Sequence, residues 1–175
     1  MLKMNFTAFI TAAAFLAGSS TAFAQQGLIT QKAISLDMAM TMAQASLAKC
    51  RSLGYKCGIT VLDVDGLVKI TLVDDGANLH RMDVSRKKAY TALVYKRPSL
   101  EVVKGWSAKA KDPVPLVEGT IPSPPIEGTI AMGGGLPIKV GNDVIGAISV
   151  SGAPGWEMDE ACSAAGIAAV ADKLR

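Results

Sequence analysis

The stretch GITVLDVDGLVKITLV (residues 58–73) decides the fold. Residues 58–64 and 67–73 are two runs rich in β-branched and aliphatic residues, and they are joined around Asp65-Gly66. Asp-Gly between two such runs is typical of a tight hairpin, because glycine adopts the positive φ that the turn requires. The stretch therefore predicts two antiparallel strands.

A second pair of strand-forming runs lies nearer the end of the chain. Residues 136–140 and 144–150 are joined through Gly141-Asn142-Asp143, which again has the residue types of a tight turn. A short run before them, residues 129–132, predicts an edge strand. We therefore expect five strands in one antiparallel sheet.

Four helical segments surround these runs. Ser35 predicts the N-cap of the first helix and Gly54 its end, and the second helix is expected from Asn78 to about Tyr95. A shorter helix is expected from Ser99 to near Trp106, and the last begins near residues 158–159. The order α-β-β-α-α-β-β-β-α predicts an α+β fold with helices packed on the sheet.

Apolar spacing predicts which helix faces are buried. The expected inner faces carry Leu36, Met40, Ala43, Leu47 and Cys50 in the first helix and Met82, Ser85, Ala89, Ala92 and Leu93 in the second. The basic residues of the second helix that we expect to face outward are Arg81, Arg86 and Lys87.

The first 24 residues predict a cleaved export signal. Lys3 precedes an apolar run over residues 6–17, and Ala22-Phe23-Ala24 has the small-x-small pattern of a cleavage site. The alternative, a retained membrane anchor, is disfavoured because the apolar run is short for a bilayer span. We expect a periplasmic or secreted mature protein, residues 25–175, with one domain and no membrane span.

Charge and cysteine content narrow the classes of function. The net charge of +3 falls to +2 without the leader, which is too small to indicate a nucleic-acid partner. Cys50 and Cys57 are close in sequence and can form a disulfide, or Cys50 can be a plain core residue of its helix. Both interpretations stay open. The absence of a C-x-x-C-H sequence excludes covalent c-type haem attachment on its usual signature.

Several ordered motifs resemble the GlcG/HbpS family over almost the whole mature chain, from about Leu36 to Leu174. Their residues are Asp63-x-Asp65-Gly66, Asp75-Gly76-Ala77, the run from His80 to Leu93, Gly133-Gly134-Gly135-Leu136-Pro137-Ile138, residues 144–154 and Asp159-Glu160-Ala161-Cys162. The resemblance implies a profilin-like sheet flanked by helices, a homo-oligomer and haem binding. In one departure, Val73-Asp74-Asp75 replaces the family's common arginine-methionine-aspartate.

His80 is the only histidine of the chain, and with the resemblance it is a candidate axial ligand to haem iron. The alternative is a solvent-facing histidine in a first helical turn. Met82 is a second candidate metal ligand, although a methionine at helical spacing is more often part of the core.

Other residues of the second helix are candidates for contacts with the cofactor. Arg81 and Lys88 can meet haem propionates, and Lys88 can instead pair with a carboxylate at an oligomer contact or stay exposed. Tyr90 and Thr91 can line a pocket or bond back to their own helix. Gly134 and Gly135 permit close approach of a ligand or another subunit, or a bend in the strand.

These observations leave three hypotheses for function. The first is an exported module that binds haem or a similar tetrapyrrole, for sensing, storage or slow peroxide-linked degradation. The second is a non-catalytic, oligomeric accessory protein of a periplasmic oxidoreductase. The third, an enzyme acting on a small acid or on haem, is least favoured, because the chain has few titratable groups in a catalytic pattern.

Overall fold

The computed structural model describes residue 27, residues 29–109 and residues 126–175, and it forms a compact unit over Gln31–Arg175. The predicted leader and nearly all of the proline-rich segment 111–128 lie outside the described residues. None of the described helices is long and apolar enough to cross a membrane. The elements are α1 Leu36–Ser52, β1 Gly58–Asp63, β2 Val68–Val73, α2 Arg81–Tyr95, α3 Ser99–Lys109, β3 Gly135–Val140, β4 Asp143–Ser151, α4 Trp156–Ala168 and a short 3₁₀ turn, Ala171–Lys173.

The strands form one antiparallel sheet in the order β2-β1-β4-β3. Both predicted hairpins are confirmed. In the first, Gly66 has φ +81°, and one carboxylate oxygen of Asp63 accepts the backbone N–H groups of Asp65 and Leu67 at 3.0 and 2.9 Å. The two hairpins meet at β1 and β4, where Gly58 pairs with Ser151 and Asp63 with Gly146. The central strand β1 is buried along its whole length.

The prediction of five strands is wrong, since the described residues form four. Residues 129–132 do not join the sheet. Instead the side-chain hydroxyl of Thr91 accepts the N–H of Ile130 at 2.9 Å. Because α2 occupies the N–H of Ile130, that group is not available to a sheet ladder.

The helices cover both faces of the sheet. Ile59 and Val61 of β1 belong to the core that α1 and α4 cover, whereas Leu62 packs with Ala89 and Ala92 of α2. This alternation is the period-two pattern of a strand. Polar groups buried between β1 and α2 are paired within the chain: the hydroxyls of Thr60 and Ser85 lie 2.8 Å apart.

The predicted inner face of α1 is rotated from the observed one. Its buried residues are Ala39, Met42, Ala43, Ser46 and Cys50. Leu36 and Met40 are exposed instead, because α1 approaches α4 closely through its smaller residues. Gly166 of α4 lies directly against the Ser46 hydroxyl, with no room for a side chain.

The predicted faces of α2 need two corrections. Ser85, Ala89 and Ala92 are buried as expected, but Met82 is 54% exposed. Arg81, expected to face outward, is partly buried and lines a pocket. The start of α2 lies over the start of β1, since a side-chain carbon on Gly58 would be 2.8 Å from the Arg81 carbonyl.

The disulfide joins Cys50 to Cys162, so the interpretation that pairs Cys50 with Cys57 is wrong. Cys50 lies on the buried face of α1, which packs on α4, and the Cα atoms of the pair are 5.6 Å apart, within the range of a disulfide. Cys57 is a buried free thiol at the start of β1.

We expect reduction of this disulfide to destabilise the fold strongly. The bridge closes a loop between residues 112 positions apart, for which chain entropy predicts a loss of about 4–5 kcal/mol in the free energy of unfolding. Urea unfolding with and without dithiothreitol measures the loss. Cys57→Ala should keep the response to reductant and Cys162→Ala should abolish it, whereas the reverse outcome would contradict the observed pairing.

Candidate functional site

A pocket of about 360 Å³ lies where β4 ends and α4 begins. After Ser151 the chain turns through residues 152–155 and enters α4 at Trp156. Gly152 fits closely against the segment before β1, since a side-chain carbon there would be 2.8 Å from the Cys57 sulfur. The residues that line the pocket come from α2, α3, the segment before β3, the end of β4, this turn and the start of α4. They are Arg81, Lys88, Leu100, Met132, Ser151, Ala153, Pro154, Gly155, Trp156, Glu157 and Asp159.

A buried ion pair forms one wall of the pocket. The ammonium nitrogen of Lys88 lies 2.7 Å from Oδ2 of Asp159, and the two side chains are 3% and 2% exposed. The other oxygen of Asp159 accepts the N–H groups of Gly152 and Ala153 at 3.1 and 2.9 Å. Both carboxylate oxygens are therefore paired, as burial of a charge requires.

Burial shifts the pKa of three groups near this pair. It raises the pKa of Asp159, while Lys88 and the two backbone N–H groups act in the opposite direction. It also raises the pKa of Glu160, whose carboxylate accepts the N–H of Leu100 at 3.3 Å. Burial raises the pKa of the Cys57 thiol to about 12, so that this thiol stays protonated at neutral pH and is not a thiolate nucleophile.

The hydroxyl of Ser151 is a polar group in the pocket wall without a partner. Ser151 is fully buried, and its hydroxyl forms no hydrogen bond with any described residue. An unpaired buried hydroxyl costs free energy, so its presence in a pocket wall marks a place where a ligand can bind.

Part of the pocket lining is apolar. It consists of Leu100 at the start of α3, Met132 and Trp156. Gly133 lets these elements meet, because a side-chain carbon there would be 2.8 Å from Cβ of Trp156 and 2.9 Å from Cβ of Leu100. The pocket thus combines an apolar wall with a few convergent polar groups, as small-molecule sites commonly do.

The structure brings Arg81 and Lys88, among the predicted cofactor contacts, to this pocket. Lys88 is buried, and its ammonium group pairs with Asp159 of the same chain. His80 is exposed at the N-cap of α2 and Met82 is exposed in its first turn, and neither lines the pocket.

Tyr90 and Thr91 lie further along α2. The ring of Tyr90 packs beside Gly66 and Gly128, and the Thr91 hydroxyl donates to the C=O of Lys87 at 2.8 Å. The structure therefore places both side chains in contacts within the fold and not in the pocket.

Gly134 and Gly135 serve close packing. Gly134 has φ +123°, and a side-chain carbon there would be 2.9 Å from Cβ of Asp159 and 3.2 Å from Cδ of Lys88. Gly135 lies against the backbone carbonyl of Lys88. Both glycines let α2 approach the start of β3, and Gly134 leaves the space through which Lys88 reaches Asp159.

Sequence reasoning missed Ser151, Trp156 and Asp159 as pocket residues. The sequence places Asp159 in a family motif and at the start of a helix that in fact begins three residues earlier, at Trp156, and neither feature marks it as a pocket residue. The combination of Ser151-Gly152 at a strand end with an acidic residue in the next helical turn is the signal that could have located the site. Among the described residues, no group of three or more histidine, cysteine or acidic side chains is placed to hold a metal ion.

We expect Asp159→Asn to destabilise the fold by about 3–5 kcal/mol, because it leaves the Lys88 ammonium buried without a counter-charge. The matched control is Asp83→Asn, which removes an exposed partner of Lys87 and should cost less than about 1 kcal/mol. Urea unfolding of the two variants measures the difference. Equal stability of both variants would show that the buried pair is dispensable.

Comparison with known proteins supports the fold and identifies the family. The family model described as haem degrading protein HbpS-like matches residues 34–168. The crystal structure of HbpS aligns with TM-score 0.70 and 27% identity, covering 81% of this chain and 93% of that chain. No curated protein sequence matches the chain.

Two further solved structures share the fold at lower identity. Klebsiella pneumoniae protein ORFY aligns with TM-score 0.68 and 24% identity, over 83% of this chain and 95% of that one. The crystal structure of a PduOC:haem complex aligns with TM-score 0.65 and 22% identity, over 79% and 95%. Since the family model spans more than two thirds of the sequence, the resemblance read from the motifs is confirmed: this chain belongs to the HbpS-like family.

Proposed function

We propose that this protein binds haem or a similar planar tetrapyrrole. The observation that carries the proposal is the match to the HbpS-like family model, which is described as haem degrading. PduOC, which shares the fold, was solved in complex with haem. The proposal also needs residues of this chain that are suited to contact haem.

The first turn of α2 contains the residues that we propose contact haem. His80 is exposed, and its imidazole forms no capping hydrogen bond with the helix. The flanking side chains Leu79 and Met82 are 99% and 54% exposed, so apolar surface lies beside the imidazole. An exposed imidazole between apolar side chains suits an axial ligand beside a macrocycle.

We propose that only one of the two candidate ligands, His80 and Met82, binds the iron. His80 and Met82 are two positions apart at a helix start, where side chains at that spacing point in different directions. We assign the ligand to His80, and Met82 to contact with the macrocycle. Haem supplies an iron centre with redox and ligand-exchange chemistry, and this chain supplies the imidazole and the apolar surface.

We also propose that the protein is exported and acts as a homo-oligomer in haem sensing, storage or degradation. The disulfide between α1 and α4 supports export, because such bonds persist mainly in oxidising compartments. The exposed Leu79 and Met82 support an oligomer, since a second subunit or a ligand would remove them from water.

A second candidate function is the non-catalytic accessory role beside an oxidoreductase. It is favoured by one observation, that His80 lies outside the pocket and is open to solvent. In that case the apolar surface at residues 79–82 would contact a protein and not a tetrapyrrole.

We expect a haemin titration to give a saturable shift of the Soret band with wild-type protein. His80→Ala should weaken haemin binding by at least about tenfold and change the band position, because it removes the proposed axial ligand. Met82→Leu is the matched control, as it keeps an apolar side chain in the same turn. No saturable shift with the wild type would overturn the haem proposal in favour of the accessory role.

A further inference from the structure

The pocket beside α4 contains binding groups that the haem proposal does not use. Ser151 contributes a fully buried hydroxyl without a partner among the described residues. A native structure pairs nearly all such groups, with protein, water or ligand. A polar group of a ligand in the pocket, or a water, would give this hydroxyl a partner.

The start of α4 adds backbone donors to the same wall. The N-cap Gly155 provides no side-chain cap, and the N–H groups of Gly155, Trp156 and Glu157 have no partner among the described residues. Asp159 does not cap them, because its carboxylate accepts the earlier N–H groups of Gly152 and Ala153. Free N–H groups at a helix start favour an anion, since the helix dipole is positive at that end.

Arg81 supplies a cation at the pocket. It is partly buried, lines the pocket and forms no ion pair with any residue that the structure describes. Lys88, in contrast, is neutralised by Asp159. Glu157 also lines the pocket and carries a negative charge that would repel an anion, but its side chain is exposed to solvent.

The remaining wall selects for an organic molecule. Leu100, Met132 and Trp156 present apolar surface, and the volume of about 360 Å³ lies near the small end of the range of ligand sites, about 300–1,000 Å³. A small molecule with one charged end and an apolar body matches both walls.

We propose that this pocket binds a small organic acid, independently of haem. The carboxylate lies between the Arg81 guanidinium and the N–H groups at the start of α4, and it accepts a hydrogen bond from the Ser151 hydroxyl. The apolar body packs on Leu100, Met132 and Trp156. Arginine is suited to this role because its guanidinium can donate two parallel hydrogen bonds to a carboxylate.

Calorimetric titration of the haem-free full chain with benzoate tests the proposal. Benzamide is the uncharged isostere, and inorganic phosphate is an oxyanion without an apolar body. We expect saturable binding of benzoate and at least about tenfold weaker binding of the other two. Binding of benzamide as tight as that of benzoate would overturn the carboxylate assignment, and equal binding of phosphate would overturn the assignment to an organic acid.

Variants locate the ligand. Ser151→Ala and Arg81→Gln should each weaken benzoate by about tenfold or more, because each removes a hydrogen bond to a charged group. The control is Arg86→Gln, because Arg86 belongs to the same helix but does not line the pocket. This variant should bind benzoate with unchanged affinity. Glu157→Gln should strengthen binding by removing a like charge.

Nuclear magnetic resonance provides a readout that does not depend on the variants folding well. Benzoate should shift the backbone amide signals of residues 155–157 in the wild-type protein. Shifts confined to other parts of the chain, or no saturable benzoate binding, would overturn the pocket assignment. The haemin titration would be unaffected by either outcome, so the two proposals fail separately.

Discussion

The ion pair between Lys88 and Asp159 is the constraint on which the site depends. Two charges removed from water are tolerated only with full hydrogen bonding, and here two backbone N–H groups complete the carboxylate. The pair joins α2, on one face of the sheet, to α4, on the other. The two side chains meet beside Gly134, just before β3. A side chain at that position would collide with Asp159 and crowd Lys88, so the ion pair depends on this glycine.

The geometry of the pocket follows from that link. Asp159 holds the turn after β4 through the N–H groups of Gly152 and Ala153, and this fixes where α4 begins. Asp159 therefore leaves the donors at the helix start free, because its side chain points inward, and Glu157, the other acidic residue of the first turn, is exposed. The inward orientation of Asp159 thus has two consequences: it forms the ion pair with Lys88, and it leaves the start of α4 available for the proposed anion.

Local pattern was sufficient to predict the hairpins, the four helices and the α+β class, because turn residues and apolar periodicity act over a few positions. It failed where the deciding contact is distant in sequence. Cys50 pairs with Cys162, 112 positions away, and Lys88 with Asp159, 71 positions away. The face of α1 was misread for the same reason, since Gly166 selects the small residues that α1 buries.

Residues 129–132 have the composition of an edge strand, but their contact with α2 decides their conformation. Thr91, a candidate ligand-binding residue, accepts the N–H of Ile130 and holds that segment on α2. Of the candidate site residues, only Arg81 and Lys88 reach the pocket, and no local signal distinguishes them from the other basic residues of the helix. The unpaired hydroxyl of Ser151 is visible only when the packing around it is known.

Two adjacent residues at the start of α2 separate the two proposed ligands. His80 faces solvent, whereas Arg81 faces the pocket, because successive residues of a helix point about 100° apart. A tetrapyrrole on the exposed side and a carboxylate on the inner side would thus contact one helical turn without competing for the same atoms. Any influence of one ligand on the other would have to act by moving that turn. The turn lies close to β1 because Gly58 has no side chain.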